Sequence, residues 1–105
     1  MEFLLAYITT SGADEARRLG KTLVAERLAA CANVLPGMES HYWWNGALES
    51  ASEAVLLLKL PAAGRAALLE RALELHGAET PCVVFLPIVG GNPSFLKWIS
   101  DETEP

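Results

Sequence analysis

The stretch Ala30-Cys31-Ala32-Asn33-Val34-Leu35-Pro36-Gly37-Met38-Glu39-Ser40-His41-Tyr42-Trp43-Trp44-Asn45-Gly46 decides the fold. An apolar run is broken by Pro-Gly, ends in three aromatic residues and closes on Asn-Gly. A two-residue type I′ turn needs positive φ at both central residues, and Asn-Gly supplies them with little steric strain. The stretch therefore predicts the first arm of a long, bent β-hairpin whose second arm runs from Ala47 to Leu60. Pro36-Gly37 cannot sit in a regular central ladder, so it marks a bulge or a sharp bend. Tyr42, Trp43 and Trp44 must alternate across the strand, with one side expected in the core and the other at an interface or groove.

Working outward, Phe3 to Thr9 is apolar and reads as a buried strand. Ser11-Gly12-Ala13-Asp14 fits an acidic capping box, and a helix follows to about Ala29. Ala16, Leu19, Leu23 and Ala30 fall near one face of it, while Glu15, Arg17, Arg18, Lys21 and Glu26 are expected in solvent. The unbroken run Ala54 to Leu58 suits a central strand or one covered on both faces. Pro61 is expected to open a second helix, which Leu68, Leu69, Ala72, Leu73 and Leu75 give an apolar side. Gly77 fits a left-handed stop after His76. Cys82 to Val89 reads as a fourth strand, which Pro87 marks as an edge. Asn92-Pro93 starts a short helix, Ser94 to Ile99, and the acidic tail Asp101 to Pro105 is expected to fray.

Strand-helix-strand-strand-helix-strand is the ferredoxin-like α+β pattern, a single domain over residues 1–105. It implies an antiparallel sheet of order 4-1-3-2 with helices on one face. The other face is apolar and has no helix to cover it. Hydrophobic residues make up 51% of the chain, high for 105 residues. Burial of sheet against sheet in an oligomer answers both observations.

A net charge of −5 argues against nonspecific nucleic-acid binding and against docking on an anionic membrane, since both need Lys and Arg. No segment reaches the roughly 18 to 20 apolar residues of a membrane-spanning helix. The start Met1-Glu2-Phe3-Leu4-Leu5 lacks the features of a signal peptide, so a cytoplasmic location is expected.

Cys31 and Cys82 fall on opposite edges of a 4-1-3-2 sheet, which excludes an intrachain disulfide. Each reads either as a small buried hydrophobe or as a soft metal ligand. His76 lies at a helix C-terminus, where it suits capping or ligation of a metal beside a second His or Cys. His41 reads as an exposed or interfacial strand residue. Lys59, alone in a hydrophobic strand, either snorkels to an edge or meets a charged partner in a cleft. Glu39, Glu49 and Glu53 give the hairpin an acidic edge. There is no phosphate loop and no nucleophile–His–acid set. The loop Thr9-Thr10-Ser11-Gly12-Ala13 lacks the Arg of acylphosphatases, and Leu56-Leu57-Leu58 is wrong for an RNA-recognition module.

Four stretches resemble CutA, the divalent-cation-tolerance family: Glu26 to Gly37, Tyr42 to Gly46 with Leu48-Glu49, Leu57-Leu58-Lys59, and His76 followed by Thr80-Pro81 and Leu86-Pro87-Ile88. Phe95 and Trp98-Ile99 extend the likeness over nearly the whole chain. The resemblance implies a non-enzymatic homotrimer of ferredoxin-like subunits, built like the PII signalling proteins, with long hairpins wrapped around neighbours. It also implies copper or another divalent metal ion as ligand, with no obligatory cofactor. Copper-binding members use a Cys late in the first strand and a His-His pair. The corresponding positions here are Ile8, Leu75 and His76, so only His76 is retained, and Cys82 replaces a family Glu. The expected site is therefore His76, Cys31 and Cys82 near subunit boundaries, with Lys59 and Trp44 lining a cleft. The alternative is a PII-like module that binds a small anionic ligand or a protein partner between subunits.

Overall fold

The computed structural model describes residues 1–104. It contains β1 (Phe3–Thr10), α1 (Ala13–Ala25), β2 (Cys31–Trp44), β3 (Ala47–Pro61), a 3-10 turn (Ala62–Gly64), α2 (Arg65–Leu75), β4 (Val83–Ile88) and α3 (Pro93–Thr103). The strands form one antiparallel sheet in the order β2-β3-β1-β4. This is the expected α+β order, with Cys31 and Cys82 at opposite edges and both thiols free.

Alternation along the strands makes the core. Ala6 and Ile8 of β1, and Ala54, Leu56, Leu58 and Leu60 of β3, are buried against Ala16, Leu19 and Leu23 of α1 and Leu68 and Ala72 of α2. The helix positions recur at three- and four-residue steps, which places them on one face. Gly20 lets α1 approach the sheet closely: a Cβ there would stand 3.0 Å from Leu56 Cδ1 and 3.1 Å from Ala32 Cβ. Gly20→Ala gains helix propensity, about 0.5–1 kcal/mol, but overpacks a filled site, which costs about 1–3 kcal/mol. A net loss of about 1 kcal/mol is expected, read as a lower urea midpoint at fixed protein concentration.

On the other side of the sheet, Leu5, Tyr7, Leu57, Val84 and Leu86 fall on one face by register. Val84 and Leu86 remain 49% and 46% exposed. The expectation that no helix covers this face holds only in part. Phe3, Ala30 and Ile99, with Ile88 and Leu96, form a second small core. By strand alternation Phe3 and Ile88 share the side of Leu5 and Leu86, so α3 covers one end of that face.

The hairpin turn is as the dipeptide requires, with φ 49° at Asn45 and 79° at Gly46. The bend is a bulge: Leu35 pairs with Val55 and Met38 with Glu53. Two residues of β2 thus stand against one of β3, with Gly37 at φ 74°, which kinks the ribbon and increases its twist. Neither side of the aromatic tip lies in the core, contrary to the sequence expectation. Trp43 is 74% exposed, and Tyr42 and Trp44 are partly open. A two-stranded ribbon beyond its sheet has no layer to bury a face against.

Several boundaries differ from the sequence reading. Helix α1 stops at Ala25, not Ala29, because Arg27 adopts φ 63°. Arg27 N–H donates to Val24 O and Leu28 N–H to Leu23 O, the paired bonds of a Schellman stop. Pro61 ends β3 opposite Phe3 and precedes the 3-10 turn; it does not open α2. The left-handed stop at Gly77 is absent: His76 is extended at φ −74°, ψ 136°, and Gly77 has no positive φ. Cys82 precedes β4, which spans only Val83–Ile88. Helix α3 continues through Thr103, since Arg27 binds both the carbonyl and the carboxylate of Glu102; Pro105 lies outside the described residues.

Candidate functional site

The end of β1, the 76–82 loop after α2 and the distal part of β2 meet around an open groove of about 760 Å³. Tyr7, Thr9, Met38, Tyr42, Trp44, Glu53, Glu79 and Cys82 are among its lining residues. The Tyr7 hydroxyl donates to Met38 Sδ at 3.6 Å, which ties the strand to the ribbon just past the bulge. A smaller cleft of about 250 Å³ adjoins it, sharing Thr9, Glu53, Ala78, Thr80 and Cys82 and adding Glu15 and His76.

The loop is anchored by side chains. His76 Nδ1 lies 3.1 Å from Ala78 N, which can only donate, and His76 Nε2 lies 2.7 Å from Thr9 O, which can only accept. The neutral ring is therefore protonated on Nε2, and both nitrogens are engaged. Glu15, expected in solvent, instead spans two elements. Its Oε1 accepts Ser11 N–H at 2.9 Å and its Oε2 accepts Gly77 N–H at 3.0 Å. This also corrects the capping reading: Gly12 is the cap residue, it makes no side-chain cap bond, and Asp14 is not the acid that reaches back. Beneath the loop the buried Thr10 hydroxyl donates to Gly12 O at 2.9 Å, with Ala54 O at 3.3 Å.

Burial opposes ionisation of Glu15, but the Ser11 and Gly77 N–H groups outweigh it and hold its carboxyl below the usual value of 4.5. A depressed native value means stability present above about pH 4.5 and lost as pH falls through the native value. The stability difference between wild type and Glu15→Gln is expected to shrink as pH is lowered from 6 to 3.5, as read by urea midpoints. A constant difference overturns this linkage. The Glu26–Arg71 pair joins α1 to α2 at the surface, and the Arg71 guanidinium lowers the Glu26 pKa. Its exposure makes it a minor contributor to stability.

Of the site residues expected from sequence, His76, Cys82 and Trp44 border these adjoining cavities. Cys31 and Lys59 do not. They are register partners at the other end of the ribbon, and Lys59 Nζ donates to Asn33 Oδ1. Ile8 is fully buried in the core. His41 is exposed, held between Glu39 Oε1 at 2.9 Å and Ser50 Oγ at 2.8 Å. Among the described residues, no three His, Cys, Asp or Glu side chains of one chain are grouped to hold a metal ion. A single chain thus offers soft and acidic donors at the groove but no complete coordination set. Sequence reasoning missed Glu15, Tyr7 and Met38; the Ser11 to Glu15 spacing was the only local signal for any of them.

The model of the CutA1 divalent ion tolerance protein family matches residues 4–102. The chain is 41% identical over 96 residues to the divalent-cation tolerance protein CutA of Thermus thermophilus, covering 91% of this chain and 93% of that protein. It is 36% identical over 98 residues to the protein of the same name from Archaeoglobus fulgidus, covering 93% and 95%. It spans 56% of the length of the chloroplastic CutA 1 relative of Oryza sativa. The solved CutA1 of Oryza sativa superposes with a TM-score of 0.95 at 35% identity, over 99% of this chain and 95% of that one. The Archaeoglobus structure is described as periplasmic. Among the described residues of this chain no helix is long and apolar enough to cross a membrane. On the family match and on relatives this similar over this much of its length, the chain belongs to the CutA1 divalent ion tolerance family.

Proposed function

We propose that this chain works as a homotrimeric, non-enzymatic divalent-cation tolerance protein that binds copper or another divalent ion at the groove, with a neighbouring subunit completing the coordination. The observation that carries this reading is the gathering of Cys82, His76 and Glu53 around one cleft that a single chain leaves short of ligands. Family membership supplies the cation class. The apolar, partly exposed sheet face around Leu86 and Val84 supports assembly. A thiol with an imidazole favours soft or borderline ions. Ligation through His76 Nδ1 would displace the Ala78 N–H, so binding and loop conformation are coupled. Cys31 enters the site only from another subunit, since within one chain it lies on the far edge strand. A cytoplasmic location is part of the proposal.

Native mass spectrometry with and without Cu(II) tests it. A trimer that takes up three coppers is expected, with His76→Ala lowering the copper affinity at least about tenfold, or ~1.4 kcal/mol. Unchanged affinity in that variant removes His76 from the site. A monomer overturns the assembly. A trimer that ignores metals but is stabilised by organic anions turns the reading to a PII-like module.

A further inference from the structure

We infer that Glu15 is a positioning residue, a carboxylate latch that fixes the start of the 76–82 loop to the start of α1 and so sets where the His76 ring stands in the cleft beside the groove. The inference rests on the groove being the functional site, as proposed above, but its geometry stands independently. Each Glu15 oxygen accepts one backbone N–H, and the two donors, Ser11 and Gly77, are far apart in sequence. Gly77 explains itself through the same contact. It has no positive φ, so no turn requires it; a Cβ there would stand 3.0 Å from Glu15 Oε2. Glycine leaves room for the carboxylate to approach, and a methyl there would have to push it back by a few tenths of an ångström.

The latch works together with the ring beside it. Gly77 N–H is taken by Glu15 and the next N–H, that of Ala78, by His76 Nδ1. His76 is in turn held by Thr9 O. Helix α2 ends at Leu75 and β4 begins at Val83; Cys82 O already accepts Thr9 N–H at 3.3 Å, but the start of the loop lies outside any helix or strand. With the latch removed, the His76 ring loses the chain geometry that selects its Nε2–H form.

Gln is nearly isosteric with Glu, but its amide NH2 is a donor and cannot accept the second N–H. Glu15→Gln therefore breaks half the latch without changing side-chain volume. Two readouts on the metal-free protein test it: amide hydrogen exchange at Ser11 and Gly77, and the 15N shifts of the His76 ring, assigned against a His41→Gln control. In Glu15→Gln, exchange at whichever of Ser11 and Gly77 faces the amide NH2 is expected to rise at least about tenfold, with core amides such as Leu56 rising far less. The His76 ring is expected to shift toward averaged tautomers. Gly77→Ala, which pushes on the latch from the other side, is expected to reproduce both changes. Unchanged exchange at both Ser11 and Gly77 and unchanged ring shifts in both variants overturn the latch. Exchange that rises equally at every amide also overturns it, since that is a loss of global stability. If loop and ring respond while the wild-type protein binds no Cu(II), the latch stands and the metal reading fails.

Discussion

Leu56→Ala is expected to lower the unfolding free energy by about 3–4 kcal/mol, within the range for fully buried leucines. Leu56 has no exposed surface and sits in a central strand beneath α1. Its Cδ1 is the atom that a side chain at Gly20 would strike. The cavity therefore opens directly under the glycine, and that gives the prediction a sharper form. In the Leu56→Ala background the nearer of the two obstacles to a methyl at position 20 is gone, leaving Ala32 Cβ at 3.1 Å, and Gly20→Ala is expected to become less destabilising by about 0.5–1 kcal/mol. Urea midpoints of the four proteins, at one concentration and with unchanged slopes, close the cycle. Additive effects would show that Ala32 Cβ, not Leu56, sets the close approach of α1.

If the homotrimer proposed above forms through the open sheet face, Leu86→Asp is expected to convert it to monomer in sedimentation velocity at micromolar concentration. Leu86 is 46% exposed in one chain, so an isolated subunit hydrates the new carboxylate. An assembly that covers the face cannot, and an unpaired charge buried at an interface costs several kcal/mol at each of three copies. Val84→Asp should act in the same way from the neighbouring row of the open face. The control is Leu73→Asp on α2, equally exposed at 46%, which should leave the mass unchanged. If Leu86→Asp stays trimeric, the sheet face is not the subunit interface and the ribbon alone must hold the assembly.

The parts of the fold legible in the sequence are those that short-range sterics control. Asn45-Gly46 forced the turn, Pro36-Gly37 forced the bulge, and the apolar runs Phe3 to Thr9 and Ala54 to Leu58 marked the two central strands. What escaped was set by partners distant in the chain. Arg27 ends α1 in a left-handed conformation usually taken by glycine, and its side chain is held by Glu102 on the last helix. The same pair carries α3 past the position where the acidic tail suggested fraying. Gly77 looked like a helix stop because glycine usually is one there; instead its N–H binds the Glu15 carboxylate, which a side chain at that position would crowd. The site was half legible. His76 and Cys82 are brought together by the return of β4 beside β1. Cys31 and Lys59 are held apart from them by the width and length of the sheet, which no local pattern encodes.

The bulge leaves the two halves of the hairpin free to vary separately. Asn45-Gly46 fixes Trp44 against Ala47, and the pairing runs back from there to Met38 against Glu53. The sheet fixes Leu35 against Val55. Between these anchors β2 has one residue more than β3, so a chain shortened by Pro36 alone would pair at the same partners on both sides. Every side chain would keep its face, and only the direction of the arm would change. Partner choice within the ribbon and the aim of the ribbon are thus written in different residues. A single-codon deletion is enough to redirect the arm while every cross-strand neighbour stays in place.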